Sequence, residues 1–219
     1  GMCATAGGVA VTPTFGAEPR LGTNPIAIAA PANREPFLLF DAATSAVAGN
    51  KMGLARRVGA DMLAGWITET DGTPIMDETP VRNRGEYYHL PLGGTRELGS
   101  HKGYGFGLMA EILATTLSGS LPSMLDAASG TSHHYFAAYN IEAFTDVDSF
   151  KDNMDKILGS LRDTKPAPGH ERVMYPGLSE HEEEIERRAN GIPLHSEVVQ
   201  WFDHITSELT LSPIERVGG

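Results

Sequence analysis

The run Gly93-Gly94-Thr95-Arg96-Glu97-Leu98-Gly99-Ser100-His101-Lys102-Gly103-Tyr104-Gly105 constrains this chain more than any other stretch. It begins as a glycine-rich loop and continues as a helix. Leu108, Met109, Ile112, Leu113, Thr116 and Leu117 recur at three- and four-residue spacing, which predicts one apolar stripe, and Gly119 is the expected stop. The loop sets backbone N–H groups, His101 and Lys102 at the positive end of that helix, which favours a phosphate or carboxylate. Its glycines let a ligand approach where a Cβ would collide. Gly103, Gly105 and Gly107 give G-x-G-x-G, not the dinucleotide fingerprint G-x-G-x-x-G, and no G-x-x-x-x-G-K-[ST] run exists. A buried helix with a tight, glycine-rich start explains the same residues without a ligand.

The remaining chain alternates strands and helices, which makes α/β, by default doubly wound, the reading from pattern alone. Strands are expected at 8–12, 26–30, 36–41 and 133–141, with a strand-like stretch at 171–176. The run Phe37-Leu38-Leu39-Phe40 predicts burial on both faces. A helix is expected from Ala42-Ala43-Thr44-Ser45 to about Val58, capped by Thr44 or Ser45. Residues 63–80, with Thr70-Asp71-Gly72-Thr73-Pro74 as a turn, read as a connecting hairpin or excursion. Further helices are expected after Asp148 or Ser149, with Phe150, Met154, Ile157, Leu158 and Leu161 on one face, and after Ser179, with Glu182 completing a capping box. The charged run at 180–188 reads as a solvated face stopping before Gly191. A last helix after Ser196 should turn Val198, Trp201, Phe202 and Ile205 inward, and 211–219 reads as a loose tail.

Charge and cysteine content exclude some functions. The chain is 41% hydrophobic, enough for a sizeable core, and its net charge of -11 argues against nucleic acid and against an anionic membrane surface. Cys3 is the only cysteine, so a disulfide framework is absent and a reducing, cytoplasmic setting is expected. No apolar run reaches membrane-spanning length, and no signal-peptide pattern opens the sequence. His133 and His134 are adjacent, so a strand points them to opposite faces, and no metal site is expected. Asp41, at the end of an apolar strand, is either a hydroxyl-binding acid beside backbone amides or the N-cap of a surface turn.

Several separate motifs carry a resemblance. Arg20-Leu21-Gly22-Thr23-Asn24-Pro25 looks like an R-x-G-T-N-P strand start, and Asp41-Ala42-Ala43-Thr44-Ser45 resembles D-x-A-T-S. Gly99 through Gly105 is similar to G-G-H-K-G-Y-G, and Pro176-Gly177 stands before an acidic helix that leads to Asn190-Gly191-Ile192. In order and over roughly residues 1–209, these resemble the type-2 malate/L-lactate dehydrogenases, with their ureidoglycolate, sulfolactate and diketogulonate relatives. The resemblance implies a non-Rossmann α/β fold: a large mixed, mostly antiparallel sheet flanked by helices, binding NAD or NADP. It implies a cofactor-binding sheet domain over 1–145 with a helical segment, 146–219, packed back on it, and a homodimer. It implies cofactor contacts at Phe37, Leu38, Leu39, Phe40, Asp41, Ala42 and Ala43, at His101 and Lys102, and at Gly177, Leu178 and Ser179, where Ser179 replaces a residue that is often acidic. The substrate class implied is a small 2-hydroxy or 2-keto acid such as malate or lactate. Family members carry a helical segment ahead of the position of Gly1 that holds the proton-donating histidine and a substrate-binding arginine. No catalytic residue is therefore assigned within this chain, which reads as a fragment whose first residues fall in mid-strand. The rival readings are a non-catalytic cofactor-binding fragment and, on the glycine-rich helix start alone, an unrelated phosphate-binding enzyme.

Overall fold

A computed structural model describes residues 1–216, Ser129 by its backbone alone; the end of the expected tail, 217–219, lies outside the described residues. Its main sheet has four antiparallel strands in the order β3-β2-β1-β6: β1 (Met2–Gly7), β2 (Ile26–Ala30), β3 (Leu38–Ala42) and β6 (Ser132–Ala137). Two short strands, β4 (Ile67–Thr68) and β5 (Tyr88–His89), form a second, antiparallel pair. The one parallel pairing among the described residues is an isolated bridge, Val11 to His89. The antiparallel, helix-flanked sheet implied by the resemblance is thus the one found, and the doubly wound default is set aside.

The central strand is β1, not the expected 8–12, where only Val11 forms isolated bridges to Leu21 and His89. Ala4 pairs with Ile26 on one side and Tyr135 on the other. Directly opposed residues share a face in antiparallel pairs. Register therefore puts Met2, Ala4 and Ala6 on one face with Ile26, Ile28, Phe40, Leu38 and Tyr135. Cys3, Thr5, Ala27, Ala29, Leu39, Asp41, His134 and Phe136 lie on the other. The first face is covered over β1, where Ala4 and Ala6 are fully buried, and uncovered toward the β3 edge, where Ile28 and Phe40 are exposed. The second is open, with Phe136 75% exposed. As expected, His133 and His134 fall on opposite faces. The expected burial of Phe37–Phe40 on both sides fails because β3 is an edge strand; Phe37 and Phe40 are exposed.

Helix α1 (Gly49–Val58) starts later than expected, and neither Thr44 nor Ser45 caps it. Both are buried instead, with Ser45 Oγ donating to Val47 O at 2.7 Å. Helix α2 (Ser100–Ala114) presents Gly103, Gly107, Ala110, Glu111 and Ala114 inward. Met109 and Ile112, on the expected apolar stripe, are half exposed. Small residues win because β1 offers only Ala4 and Ala6, so the helix axis can come close. A short 3-10 turn, Thr116–Ser118, then leads to Gly119.

Helix α3 (Val147–Arg162) is capped by Asp146, which accepts from Ser149 N at 2.8 Å, so the cap lies ahead of the Asp148 or Ser149 expected. Met154 and Leu158 face inward, but Ile157 and Leu161 stay exposed. Residues 171–176 form no strand. Helix α4 (Leu178–Asn190) opens with Gly177 N–H donating to Glu180 Oε2 at 3.1 Å. The box partner is Glu180 and not Glu182, which accepts from Arg172 at 2.7 Å instead. The charged face is solvated as expected, with Arg188 paired to Glu184 one turn back. In α5 (Ser196–Glu208) Trp201 points outward, against expectation. The 63–80 hairpin is present: Ile75 N donates to Ile67 O at 2.9 Å and Glu69 N to Thr73 O at 2.8 Å. Among the described residues no helix is long and apolar enough to cross a membrane.

Two apolar clusters form the core. One gathers Val47, Met52, Met62 and Ile67. The other joins Met154 and Leu158 of α3 to Tyr175 and Leu178, with Leu38 and Ala30 packed against it. Beside the second lies Asp155, whose side chain is only 3% exposed. Its carboxylate accepts the backbone N–H groups of Asn33 (3.1 Å), Arg34 (3.0 Å) and Glu35 (3.0 Å), and Nε of Arg34 (3.1 Å). Led by the Glu35 and Arg34 amides, these donors hold its pKa down, from 3.8 to about 2. A depressed carboxylate contributes stability above its unfolded pKa and loses it as pH falls through the folded value. The expected result is unfolding free energy that is level, as far as Asp155 is concerned, above pH 4 and falls between about pH 4 and 2. Urea unfolding at pH 5 and 2.5 checks this: Asp155→Asn should be less stable at pH 5 and lose less between the two.

Candidate functional site

Strand β3 is the hub around which the implied contact residues sit. At its start, Leu39 N donates to Pro176 O at 3.1 Å. Gly177 lies so close that a Cβ there would stand 2.7 Å from both Leu39 N and Phe37 O. Two of the segments that the resemblance implies, 37–43 and 177–179, are therefore adjacent. At its far end the chain leaves the sheet through Thr44. Thr44 N donates to Thr23 O at 2.8 Å, and its hydroxyl reaches Thr23 O and Asn24 O, both at 3.1 Å. Leu92 N donates to Thr44 O at 2.9 Å, and Gly103 of α2 sits on the Leu92 backbone, next in sequence to Lys102. The third segment thus approaches the opposite end of the same strand. Leu39 to Thr44 covers about 16 Å at ~3.3 Å per residue.

The start of α2 is electrostatically open. Gly99 precedes it without a side-chain cap, and no acid occupies its first turn. His101 and Lys102 are exposed there. The aliphatic stem of Lys102 folds back over Gly99, with Nζ 3.9 Å from the position of a Cβ on that glycine. Ser100 N donates to Thr95 O at 2.8 Å and Lys102 N to Gly99 O at 2.9 Å, so the draw on an anion here comes from the helix dipole and the exposed cation.

The implied residues differ in what they offer. Leu39 and Asp41 lie on the open face of the sheet. Leu39 lines a trough of about 500 Å³ whose floor is Cys3, Ala27 and Ala29 and whose far wall is Phe136. Phe37 lines a second cavity of about 500 Å³ with Glu35 and His181, sharing Gly1 and Ala29 with the first. Asp41 is exposed and sits in a strand, so it caps no helix, which removes the N-cap reading. Phe40 and Ala42 take the opposite face, and Ala43 leads out of the strand. The side chains of Leu38 and Leu178 belong to the apolar core, leaving them only their backbones for a ligand. Ser179 Oγ donates to Glu180 Oε2 at 2.9 Å, which keeps an acid at the start of α4.

Sequence reasoning missed the group that fixes this geometry. Buried Asn24 donates Nδ2 to Gly107 O at 3.0 Å and to Glu111 Oε2 at 2.8 Å. Glu111, itself buried, accepts Ser123 N. The asparagine of R-x-G-T-N-P therefore ties β2 to α2, and the threonine of D-x-A-T-S ties β3 to the same motif. The signal was the motifs themselves, whose polar residues serve each other. His89, also buried, sets Nδ1 3.1 Å from Val47 O; burial pushes its pKa down, against the pull of that carbonyl.

This arrangement of an antiparallel sheet, a glycine-started helix and a strand hub defines a class. A family model described as malate/L-lactate dehydrogenase matches residues 1–203, and the chain belongs to that family. It is 37% identical over 210 residues to the malate dehydrogenase of Pyrococcus abyssi, covering 94% of this chain and 57% of that protein. To the L-sulfolactate dehydrogenase of Methanocaldococcus jannaschii it is 30% identical, covering 93% and 57%. The crystal structure of malate dehydrogenase from Entamoeba histolytica superposes with a TM-score of 0.88 at 32% identity, over 98% of this chain and 62% of that one. The chain thus spans less than two thirds of the length of the relatives it matches.

Proposed function

We propose that this chain forms the cofactor-holding part of an NAD(P)-dependent oxidoreductase acting on a small 2-hydroxy or 2-keto acid of the malate or lactate kind. One observation carries the reading: three segments distant in sequence, each implied to touch a dinucleotide, are gathered along one strand, with a glycine cradle at one end and a glycine-led helix start carrying an exposed lysine at the other. A nicotinamide cofactor would supply the hydride. Residues 37–43 and 177–179 would bind one part of it, and the start of α2 with His101 and Lys102 would take its negative charge. The proton donor is not assigned to any residue of 1–219. The division into a sheet part, 1–145, and a helical part, 146–219, assembly as a homodimer, and a cytoplasmic setting belong to the same proposal.

NADH fluorescence, titrated against the purified chain, tests it. Binding in the micromolar to low millimolar range is expected, and a flat titration would count against the reading. Lys102→Ala should weaken binding about tenfold, near 1.4 kcal/mol, as loss of one charge-assisted contact requires. A second reading is cofactor binding without turnover by this chain on its own, which spans 57% of the length of the Pyrococcus abyssi relative. Assays with malate, lactate and pyruvate separate the two, since turnover favours the first and cofactor binding alone the second.

A further inference from the structure

The loop that feeds β3 is held by α3 at three points on one face of the helix. Asp155 collects the three consecutive amides of Asn33, Arg34 and Glu35. One turn earlier, Asp152 accepts Nδ2 of Asn33 at 2.9 Å. Two turns later, Nη1 of Arg162 donates to Glu35 at 2.6 Å. Beyond this loop, Tyr175 donates its hydroxyl to Pro36 O at 3.1 Å, and Pro176 O takes Leu39 N. Asn33, Arg34, Glu35, Pro36 and Leu39 are thus each tied to α3 or to the segment 175–176. The same backbone atoms, Phe37 O and Leu39 N, form the wall against which Gly177 fits with no space for a methyl group.

We propose that Asp155 is a positioning residue for the cofactor: by fixing the 33–35 turn it sets the height of Phe37–Leu39 against Gly177, and so the shape of that end of the dinucleotide cradle. This rests on the function proposed above. Three N–H groups wrapped round one carboxylate form a nest that ordinarily receives an anion. Here the protein fills the nest with its own buried acid, so the turn is preorganised before any ligand arrives. Asp155→Asn removes the charge that the three amides share and sets an NH2 where Oδ2 accepts Arg34 N and Arg34 Nε, so donor faces donor there and the turn relaxes while its volume is unchanged.

The test is a set of NADH affinities on the full chain, measured at a temperature where circular dichroism shows each variant folded. Asp155→Asn should raise the NADH Kd about tenfold and Tyr175→Phe about threefold, and the double variant should fall clearly short of the product, because both ties hold one turn. Combined with Lys102→Ala, which acts at the other end of β3, Asp155→Asn should give the full product. A purely structural role would lower the unfolding midpoint and leave the Kd of the folded fraction unchanged, which would overturn the proposal. So would equal coupling to Tyr175 and Lys102. If Asp155→Asn does not accumulate as folded protein, Arg162→Ala, at a partly exposed tie to the same turn, replaces it and should raise Kd two- to threefold with the same coupling pattern. Failure of the wild-type chain to bind NADH is a distinct result: it removes the cofactor reading first, and this inference with it.

Discussion

Gly103→Ala should unfold the chain or leave it about 3 kcal/mol less stable. A Cβ at Gly103 would stand 2.3 Å from Leu92 O and 2.4 Å from Leu92 N, and backbone cannot rotate away as a side chain can. Relief requires α2 to lift off the 91–92 segment. That breaks the Leu92–Thr44 hydrogen bond and carries Lys102 away from the end of β3. Gly105, two residues on, gives the internal control. Nothing lies within 4 Å of a Cβ there, so Gly105→Ala should be neutral or stabilise by up to about 1 kcal/mol through helix propensity. Urea midpoints for the pair should move in opposite directions. Equal behaviour would mean that α2 does not sit on Leu92 as described.

Gly177→Ala is expected to be nearly as damaging, and through a different route. Its φ of 102° lies where a side chain strains the backbone by about 1–2 kcal/mol before any contact is counted. The 2.7 Å approach to Phe37 O and Leu39 N adds overpacking, for about 3 kcal/mol together. Gly169 shares a positive φ of 84° but has open space round it, so Gly169→Ala should show the strain alone. In NADH titrations the Gly177 variant should lose affinity beyond what its stability explains, whereas the Gly169 variant should bind as the wild type does. Equal affinities in the two would separate Gly177 from the cofactor.

Local pattern and motif disclosed different parts of this architecture. β2 was readable to the residue, because Ile26–Ala30 carries β-branched residues just after a proline. The end of α4 before Gly191 and the hairpin round Asp71-Gly72 followed from turn chemistry. β1 was not readable from pattern: Met2–Gly7 has no strong alternation, and neighbours far along the chain make it a strand. The inward face of α2 departs from its apolar stripe because contact with the two alanines of β1 selects glycine and alanine. The residue type of Thr44 and Ser45 favours caps, but partners in the 23–24 turn and at Val47 hold them instead. The motifs located the candidate site better than periodicity did, but spacing gave no hint that Asn24, Thr44 and Gly107 would meet.

The place of β1 in the middle of its sheet has a consequence for biosynthesis. One flank is satisfied early by β2, but the other waits for β6, about 125 residues further along, which at roughly 5–20 residues per second leaves a hydrogen-bonding edge bare for about 6–25 s on the ribosome. Such long-separation pairing also makes folding slow relative to helical proteins of this size. The expected result is a soluble yield that rises when a holdase chaperone is co-expressed, measured against the same chain without it.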